Sequence, residues 1–306
     1  MKRLASLLLL LLFLFCAAAR AEGGASPLLW RVTDGQGHTL YLFGTIHAAE
    51  EDIFPLPSPV SEAFEACDQL ALELDVTTAT LRIMLLPEYS EAMFLPHEDD
   101  LANHLSPDTL EAAYSFLEGR GMAPAMLAHF SPMALYSLLE EYIMEDSGLS
   151  ASAGIDMGLA KQAQERGMDI LEIETVEFQF GLLASFPDGL YDEMIRAMAT
   201  CPVQSARQLA LLYQAWRAGN STLLALLTLS ETLGSGPEAE EMYSEYNRAM
   251  LTDRNLGMAD FAETALSSGH TVFLAVGVAH MLGPDGVVAL LRDRGYHTEE
   301  IGRGRP

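Results

Sequence analysis

Two stretches of the chain, residues 41–47 and 272–280, follow the same pattern of apolar and polar positions. Each begins with an apolar run rich in β-forming residues, which predicts a buried strand, and each ends in Gly-x-x-His. In α/β sheets, functional residues collect just beyond the carboxyl ends of parallel strands. The repetition therefore predicts that His47 and His280 lie at one edge of a single sheet.

Other segments complete the predicted sheet and its helices. Two β-rich runs between residues 28 and 43 flank a glycine-containing turn, which predicts an N-terminal hairpin. Further strands are predicted at residues 69–75, 168–173 and 296–301. Apolar residues at helical spacing predict a helical cap, inserted at about 77–150 and 181–268. The predicted fold class is α/β, with a central, mostly parallel sheet, an N-terminal hairpin, flanking helices and an inserted helical cap.

Three further predictions concern helix ends and domain organisation. Ser58 or Ser61 is predicted to cap a helix that ends at about Cys67. Arg254 is predicted to lie between two helices, within residues 253–255. No clear linker divides the chain, so we expect residues 22–306 to form a single domain.

Residues 1–21 have the layout of a secretory signal peptide. Lys2 and Arg3 precede an apolar run at residues 4–17, and a small-x-small motif ends at Ala21. We expect cleavage near Ala21 and export to the periplasm or the medium; the alternative is a retained N-terminal anchor. The apolar run is shorter than the ~20 residues of a membrane span, and no later segment qualifies as one.

The charge of the chain narrows the range of partners that it can bind. The chain has 43 acidic and 17 basic residues, a formal net charge of −26, and such a surface repels nucleic acid and anionic membranes. We therefore expect no nucleic-acid partner.

Of the three cysteines, Cys67 and Cys201 lie outside the predicted signal peptide. In an oxidising compartment they would form a disulfide or remain two buried thiols, and the sequence leaves both alternatives open.

The candidate chemistry is that of a metal site. His47, His280 and Glu73 combine imidazole with carboxylate, a donor set that suits Zn, Mn, Fe or Co. Glu174 is the first candidate for a further ligand or base, and Asp75 is the second. Arg254 is the candidate for stabilising an oxyanion. The alternative is structural: single histidines are more often hydrogen-bonded core residues, and Glu73 would then pair with an arginine. The chain has no G-x-S-x-G elbow, Walker loop or dinucleotide-binding glycine motif.

Several ordered motifs resemble the TraB/GumN/TIKI family, whose domain is also named TraB/PrgY/GumN and is metalloprotease-like. The matching segments are residues 42–47 with the proline-rich loop after them, 70–75, 154–156, 174–179, 254–255, 276–286 and 294–296. The resemblance implies an α/β core with a helical cap, and a metal site formed by His47, His280 and Glu73. Haem-binding and erythromycin-esterase-like relatives belong to the wider superfamily. Phe178 departs from the pattern, because a second glutamate is common there.

These observations predict an exported divalent-metal-dependent hydrolase, a peptidase acting on a peptide or protein substrate. His47 and His280 would hold a Mn, Co, Zn or Fe ion, and Glu73 would complete the site or act as general base. Glu174 and Arg254 would assist catalysis from the surrounding shell. The alternative is a non-catalytic periplasmic or secreted binding or regulatory protein that captures a peptide or a haem-like ligand in the same cleft.

Overall fold

The computed structural model describes residues 26–229 and 237–302, apart from the side chain of Glu238. The predicted signal peptide, residues 1–21, lies outside the described residues. Within the described part of the chain, no helix is long and apolar enough to cross a membrane.

The core of the fold is a six-stranded mixed sheet with the strand order β4-β3-β5-β2-β1-β6. The strands are β1 (Leu29–Thr33), β2 (Thr39–Thr45), β3 (Gln69–Leu72), β4 (Asp169–Glu172), β5 (Val272–Gly277) and β6 (His297–Ile301). Strands β4, β3, β5 and β2 run parallel to one another, whereas β1 runs antiparallel to both β2 and β6. The predicted α/β class, with a mostly parallel sheet and an N-terminal hairpin, is confirmed.

The register of the parallel strands brings their carboxyl ends to one edge. Thr45 at the end of β2 pairs with Gly277 at the end of β5. Leu72, the last residue of β3, pairs with Ala275 on one side and Glu172 on the other. Any residue that follows these strands therefore emerges at the same edge of the sheet, as the repeated pattern predicts.

Helices flank this sheet and form the cap. They are α1 (Ser58–Glu65), α2 (Val76–Met84), α3 (Tyr89–Met93), α4 (Pro107–Glu118), α5 (Pro132–Asp146), α6 (Ile155–Arg166), α7 (Val176–Ala184), α8 (Asp188–Thr200), α9 (Pro202–Arg217), α10 (Ser221–Leu229), α11 (Pro237–Asn247), α12 (Asp253–Leu266) and α13 (Val287–Asp293). The main core packs both faces of the sheet and includes Phe43, Phe273 and Trp216. A second core joins cap helices α4, α5 and α8 through Leu117, Leu139 and Ile195. That residues 22–306 form one domain stays a prediction.

The predicted break around Arg254 is wrong. Helix α11 continues through a π turn at Arg248–Thr252 directly into α12, so Arg254 lies inside one long helix. No glycine or proline occurs at residues 238–256, and the segment therefore lacks the residues that end a helix.

The predicted serine cap of α1 is also wrong. Pro57 occupies the capping position, and no side chain caps the helix. The Ser61 hydroxyl instead donates to the Leu56 carbonyl at 2.7 Å, and the Ser58 hydroxyl donates to Glu62. Proline at the start of a helix has no N–H to satisfy, so α1 begins without a side-chain acceptor.

The two cysteines are separate free thiols. Cys67 is buried and donates to the Ala63 carbonyl at 3.1 Å, while Cys201 is exposed at the start of α9. Burial raises the pKa of the Cys67 thiol to about 12, so it is not a nucleophile at neutral pH.

The turns after β2 and β5 are packed directly against each other. A methyl group on Gly44 would lie 2.8 Å from Val278 Cγ2 and 3.1 Å from Val278 Cα, closer than packed carbons approach. The Trp216 indole donates a hydrogen bond to the Gly44 carbonyl at 2.7 Å. The glycine of the first motif therefore permits close contact with the second motif.

We predict that Gly44→Ala destabilises the protein by about 1–3 kcal/mol, because the added methyl overpacks the contact with Val278. Urea unfolding measures the loss. Gly35→Ala is the matched control, since a methyl group there meets nothing within 4 Å. Equal stability of the two variants would contradict the close contact.

Candidate metal centre

Three functional groups converge beside Gly277. A methyl group on this residue would lie 3.4 Å from Glu73 Oε1, 3.6 Å from His47 Nε2 and 3.7 Å from His280 Cδ2. Because all three atoms lie within 3.7 Å of this one position, they are close to one another. The structure thus brings the three predicted ligand residues together at the carboxyl edge of the sheet.

Glu73 is the first residue after β3, and its carboxylate is buried and tightly held. Oε1 accepts the Gly277 N–H at 2.8 Å. Oε2 accepts from Arg254 Nη2 at 2.5 Å and from Gln179 Nε2 at 3.3 Å. The oxygen that faces the two histidines therefore receives one hydrogen bond and keeps a free lone pair.

Arg254 joins Glu73 to Glu174 in a buried cluster. Its Nε and Nη2 donate to the two oxygens of Glu174 at 2.8 Å each, and Nη1 donates to the Met250 carbonyl at 3.1 Å. Gln179 also donates to Glu174, at 2.6 Å. These bonds use four of the five guanidinium N–H groups, so Arg254 serves to hold the two carboxylates.

This cluster keeps Glu73 ionised. Burial alone would raise the pKa of Glu73. The charge of His280, which is protonated only in acid, and the charges of His47 and Arg254 outweigh burial and lower the pKa to about 2. A depressed pKa stabilises the fold above the ordinary value of 4.5, and this contribution is lost as the pH falls towards 2.

His47 is held from behind by a buried aspartate. Its Nδ1 contacts Asp156 Oδ2 at 2.9 Å, and the other carboxylate oxygen accepts from Thr45 at 2.8 Å. The side chain of His47 is 66% exposed, whereas that of Asp156 is 7% exposed. The negative charge of Asp156 raises the pKa of His47 to about 9, although water around the ring weakens the attraction.

A glycine lets the helix with Asp156 approach His47. A methyl group on Gly154 would lie 2.4 Å from the His47 carbonyl oxygen, so only glycine fits before α6. The Ile155 N–H then donates to the Ile46 carbonyl at 3.0 Å. This contact explains why Gly154, Ile155 and Asp156 form a motif.

His280 is held in the opposite electrostatic setting. Its Nδ1 lies 2.6 Å from Asn255 Oδ1, and Asn255 Nδ2 donates to the Asp285 carbonyl at 2.8 Å. The amide oxygen must therefore accept from His280, which assigns the proton to Nδ1 and leaves Nε2 with a lone pair. Burial lowers the pKa of His280 to about 4, so the ring is neutral at neutral pH. Nε2 lies 3.9 Å from Glu73 Oε1.

The donor chemistry fits a divalent metal in part. Metal-binding histidines commonly have one ring nitrogen held by a carboxylate or carbonyl oxygen, as Asp156 and Asn255 hold His47 and His280. Both Nε2 atoms remain for coordination beside Glu73. Among residues 26–229 and 237–302, however, no three His, Cys, Asp or Glu side chains lie close enough together to hold an ion.

Three residues of this centre were not singled out by their chemistry in the sequence: Asp156, Asn255 and Gln179. Each lies in a segment that carries the family resemblance, and this was the available signal. Asp75 lies elsewhere, because it caps α2 by accepting the Thr77 N–H at 3.1 Å. Phe178 is about half exposed on α7.

The sequence model of the TraB/PrgY/gumN family matches residues 28–300. The chain belongs to this family. Two relatives, both uncharacterized proteins named YbaP, come from Shigella flexneri and Escherichia coli (strain K12). Each is 24% identical to the chain over 282 residues, which cover 90% of this chain and 96% of the relative. No solved structure shows significant similarity to the chain.

We predict that Arg254→Met destabilises the protein by about 3–5 kcal/mol, because it leaves two buried carboxylates without a counter-charge. Arg294→Met is the matched control, since Arg294 also contacts two carboxylates, those of Asp260 and Glu263, but at the surface. It should cost about 0–1 kcal/mol. Chemical denaturation compares the two variants, and a similar loss in both would contradict the buried cluster.

We predict that Asp156→Asn lowers the pKa of His47 from about 9 towards its ordinary 6.5. In the wild type, the raised pKa stabilises the fold below pH 6.5, and this contribution is lost as the pH rises through 9. NMR titration of the histidine ring carbons in metal-free protein measures the shift. Asp34→Asn, which removes the carboxylate beside His38, should leave the His47 titration unchanged.

Proposed function

We propose that this protein is an exported divalent-metal-dependent hydrolase that cleaves peptides or proteins. The observation that carries the proposal is the convergence of His47 Nε2, His280 and Glu73 Oε1 around Gly277. Membership of the TraB/PrgY/gumN family and the layout of residues 1–21 agree with it. The exposed ring of His47 supports access for substrate, because it lies open to water beside the buried groups.

In this proposal, His47 and His280 hold the metal through Nε2, while Asp156 and Asn255 orient their rings. A bound divalent ion such as Mn, Co, Zn or Fe would supply Lewis acidity and lower the pKa of a coordinated water. Because Nδ1 of each ring is already occupied, the two Nε2 atoms keep a fixed direction.

Glu73 is better suited to ligation than to proton transfer. A carboxylate with a pKa of about 2 is a weak base at neutral pH, whereas an efficient general base has a pKa near the working pH. Arg254 and Glu174 would position Glu73 rather than touch substrate, since Arg254 has little donor capacity left. This assignment replaces the oxyanion role suggested for Arg254.

One observation favours the alternative, a non-catalytic protein that captures a peptide or a haem-like ligand in the same cleft. Glu73 already accepts three hydrogen bonds, from Arg254, Gly277 and Gln179. Tight engagement of this kind stabilises a finished polar network and competes with metal ligation. Metal content measured beside a peptide-library cleavage screen distinguishes the two functions, because bound metal without cleavage of any peptide favours capture.

We predict that the purified wild type binds one divalent ion per chain when loaded at mildly alkaline pH, since the His47 proton competes with the metal. His47→Ala should lose this ion, and Asp156→Asn should weaken its binding about 10–100-fold. Elemental analysis after dialysis measures the content. The matched control is His270→Ala, because His270 is exposed and lies before the start of β5, at the opposite end of that strand from the centre. Equal metal content in His47→Ala and the wild type would refute the site.

A further inference from the structure

A second cluster of polar and aromatic side chains lies in the helical cap near His47. Ala49, two residues after His47, exchanges both backbone hydrogen bonds with Ser150, at 3.2 and 2.9 Å. Ser150 follows shortly after the end of α5, so this bridge attaches α5 to the loop that leaves the centre. Helix α5 carries Tyr136 and Glu140.

Tyr136 and Tyr191 form an aromatic wall beside Glu140. The Tyr136 hydroxyl donates to Glu140 Oε1 at 2.6 Å. The Tyr136 and Tyr191 rings are 5.7 Å apart and tilted by 56°, a favourable aromatic geometry. Tyr191 is buried, and its hydroxyl donates to the Leu183 carbonyl at 2.7 Å, which fixes the wall in place.

Tyr246 extends this wall towards the metal centre. It lies on α11, eight residues before Arg254, and in a regular α-helix these two positions lie about 80° apart around the helix axis. The π turn at Arg248–Thr252 adds one residue to the helix between them and narrows this angle. Since Arg254 contacts Glu73 and Glu174, Tyr246 faces the same side, where its ring packs 5.1 Å from Phe186.

The carboxyl group of Glu140 is open to solvent but has protein groups around it. The residue is exposed to solvent, yet the protein around its carboxyl raises the pKa of Glu140, while the charge of His47 lowers it. The Tyr136 and Tyr191 rings therefore border a carboxylate that water still reaches. Within residues 26–229 and 237–302, Glu140 takes part in no ion pair.

We propose that Glu140, with the rings of Tyr136, Tyr191 and Tyr246, forms a subsite for a cationic group of the substrate, the ammonium or guanidinium of a basic peptide side chain. A carboxylate that forms no ion pair and lies beside aromatic rings attracts such a cation by charge and by cation–π contact. The acidic surface would concentrate basic peptides around it. The inference rests on the proposed function, because it names the substrate class of that cleft.

A purely structural role for Glu140 is a weaker explanation. A Tyr–Glu pair at i and i+4 on a helix contributes little to stability. Such a pair would not require a neighbouring helix to bring Tyr191 against it. Together, these contacts form a surface suited to binding a ligand.

The test compares N-acetyl-lysine methylamide with its norleucine analogue, which has the same length but no charge. NMR shift perturbation of the full-length, metal-free protein measures both affinities. We expect the lysine probe to bind at least about tenfold more tightly, and Glu140→Gln to abolish the difference. Glu141→Gln, at the exposed neighbouring residue, should retain it. Thermal unfolding of both variants verifies that they are folded.

The outcomes separate this inference from the proposed hydrolase. If both probes bind equally, or if Glu140→Gln keeps the preference, the cationic subsite is wrong whether or not the protein cleaves peptides. If the preference depends on Glu140 while the wild type binds no metal, the subsite stands and the hydrolase fails. For an active enzyme, Glu140→Gln should also lower kcat/KM for lysine substrates at least about tenfold relative to norleucine substrates.

Discussion

The candidate centre depends on a buried ion cluster that joins three distant parts of the chain. Glu73 follows β3, Glu174 follows β4, and Arg254 comes from the long helix formed by α11, the π turn and α12. Two buried carboxylates would repel each other and lose their hydration, and a single guanidinium compensates for both. Apolar replacements of buried ion clusters are often neutral or stabilising, so this cluster is better understood as a device that orients Glu73 than as a source of stability.

The two histidines illustrate how different surroundings prepare the same side chain differently. His47 lies in the open and is paired with a charged carboxylate, which favours its protonated form. His280 is buried against a neutral amide, which favours the unprotonated ring and assigns its tautomer. The centre therefore places one protonated and one neutral imidazole near an ionised Glu73, and pairs of this kind are typical of functional sites.

Local pattern was sufficient for the strands and for the residues that follow them. His47, His280 and Glu73 could be grouped because strand ends and glycine turns are written in short stretches of sequence. Asp156 and Asn255 could not be selected in this way, because their importance comes from contacts with distant histidines. The same applies to Glu140, which resembles any acidic residue on a helix until Tyr136 and Tyr191 are seen beside it.

The misplaced helix ends have physical causes of their own. The three adjacent polar residues at 253–255 were predicted to lie between two helices, yet the helix continues through them by way of a π turn. At α1, a proline removed the need for a serine cap. In each case, a feature of the backbone decided where the helix begins or ends, and the pattern of side chains does not reveal such a feature.

The strand order also bears on how the chain folds. Strand β5 is inserted between β2 and β3 although it is encoded near the end of the sequence, and β6 later closes onto β1. During synthesis, the β1–β2 hairpin emerges long before β5, so the edge of β2 stays unpaired until β5 has been made. Such long-range pairing slows folding and exposes strand edges to aggregation, a hazard that chaperones relieve. A ribosome-bound chain would therefore lack the whole centre until its last segments are released.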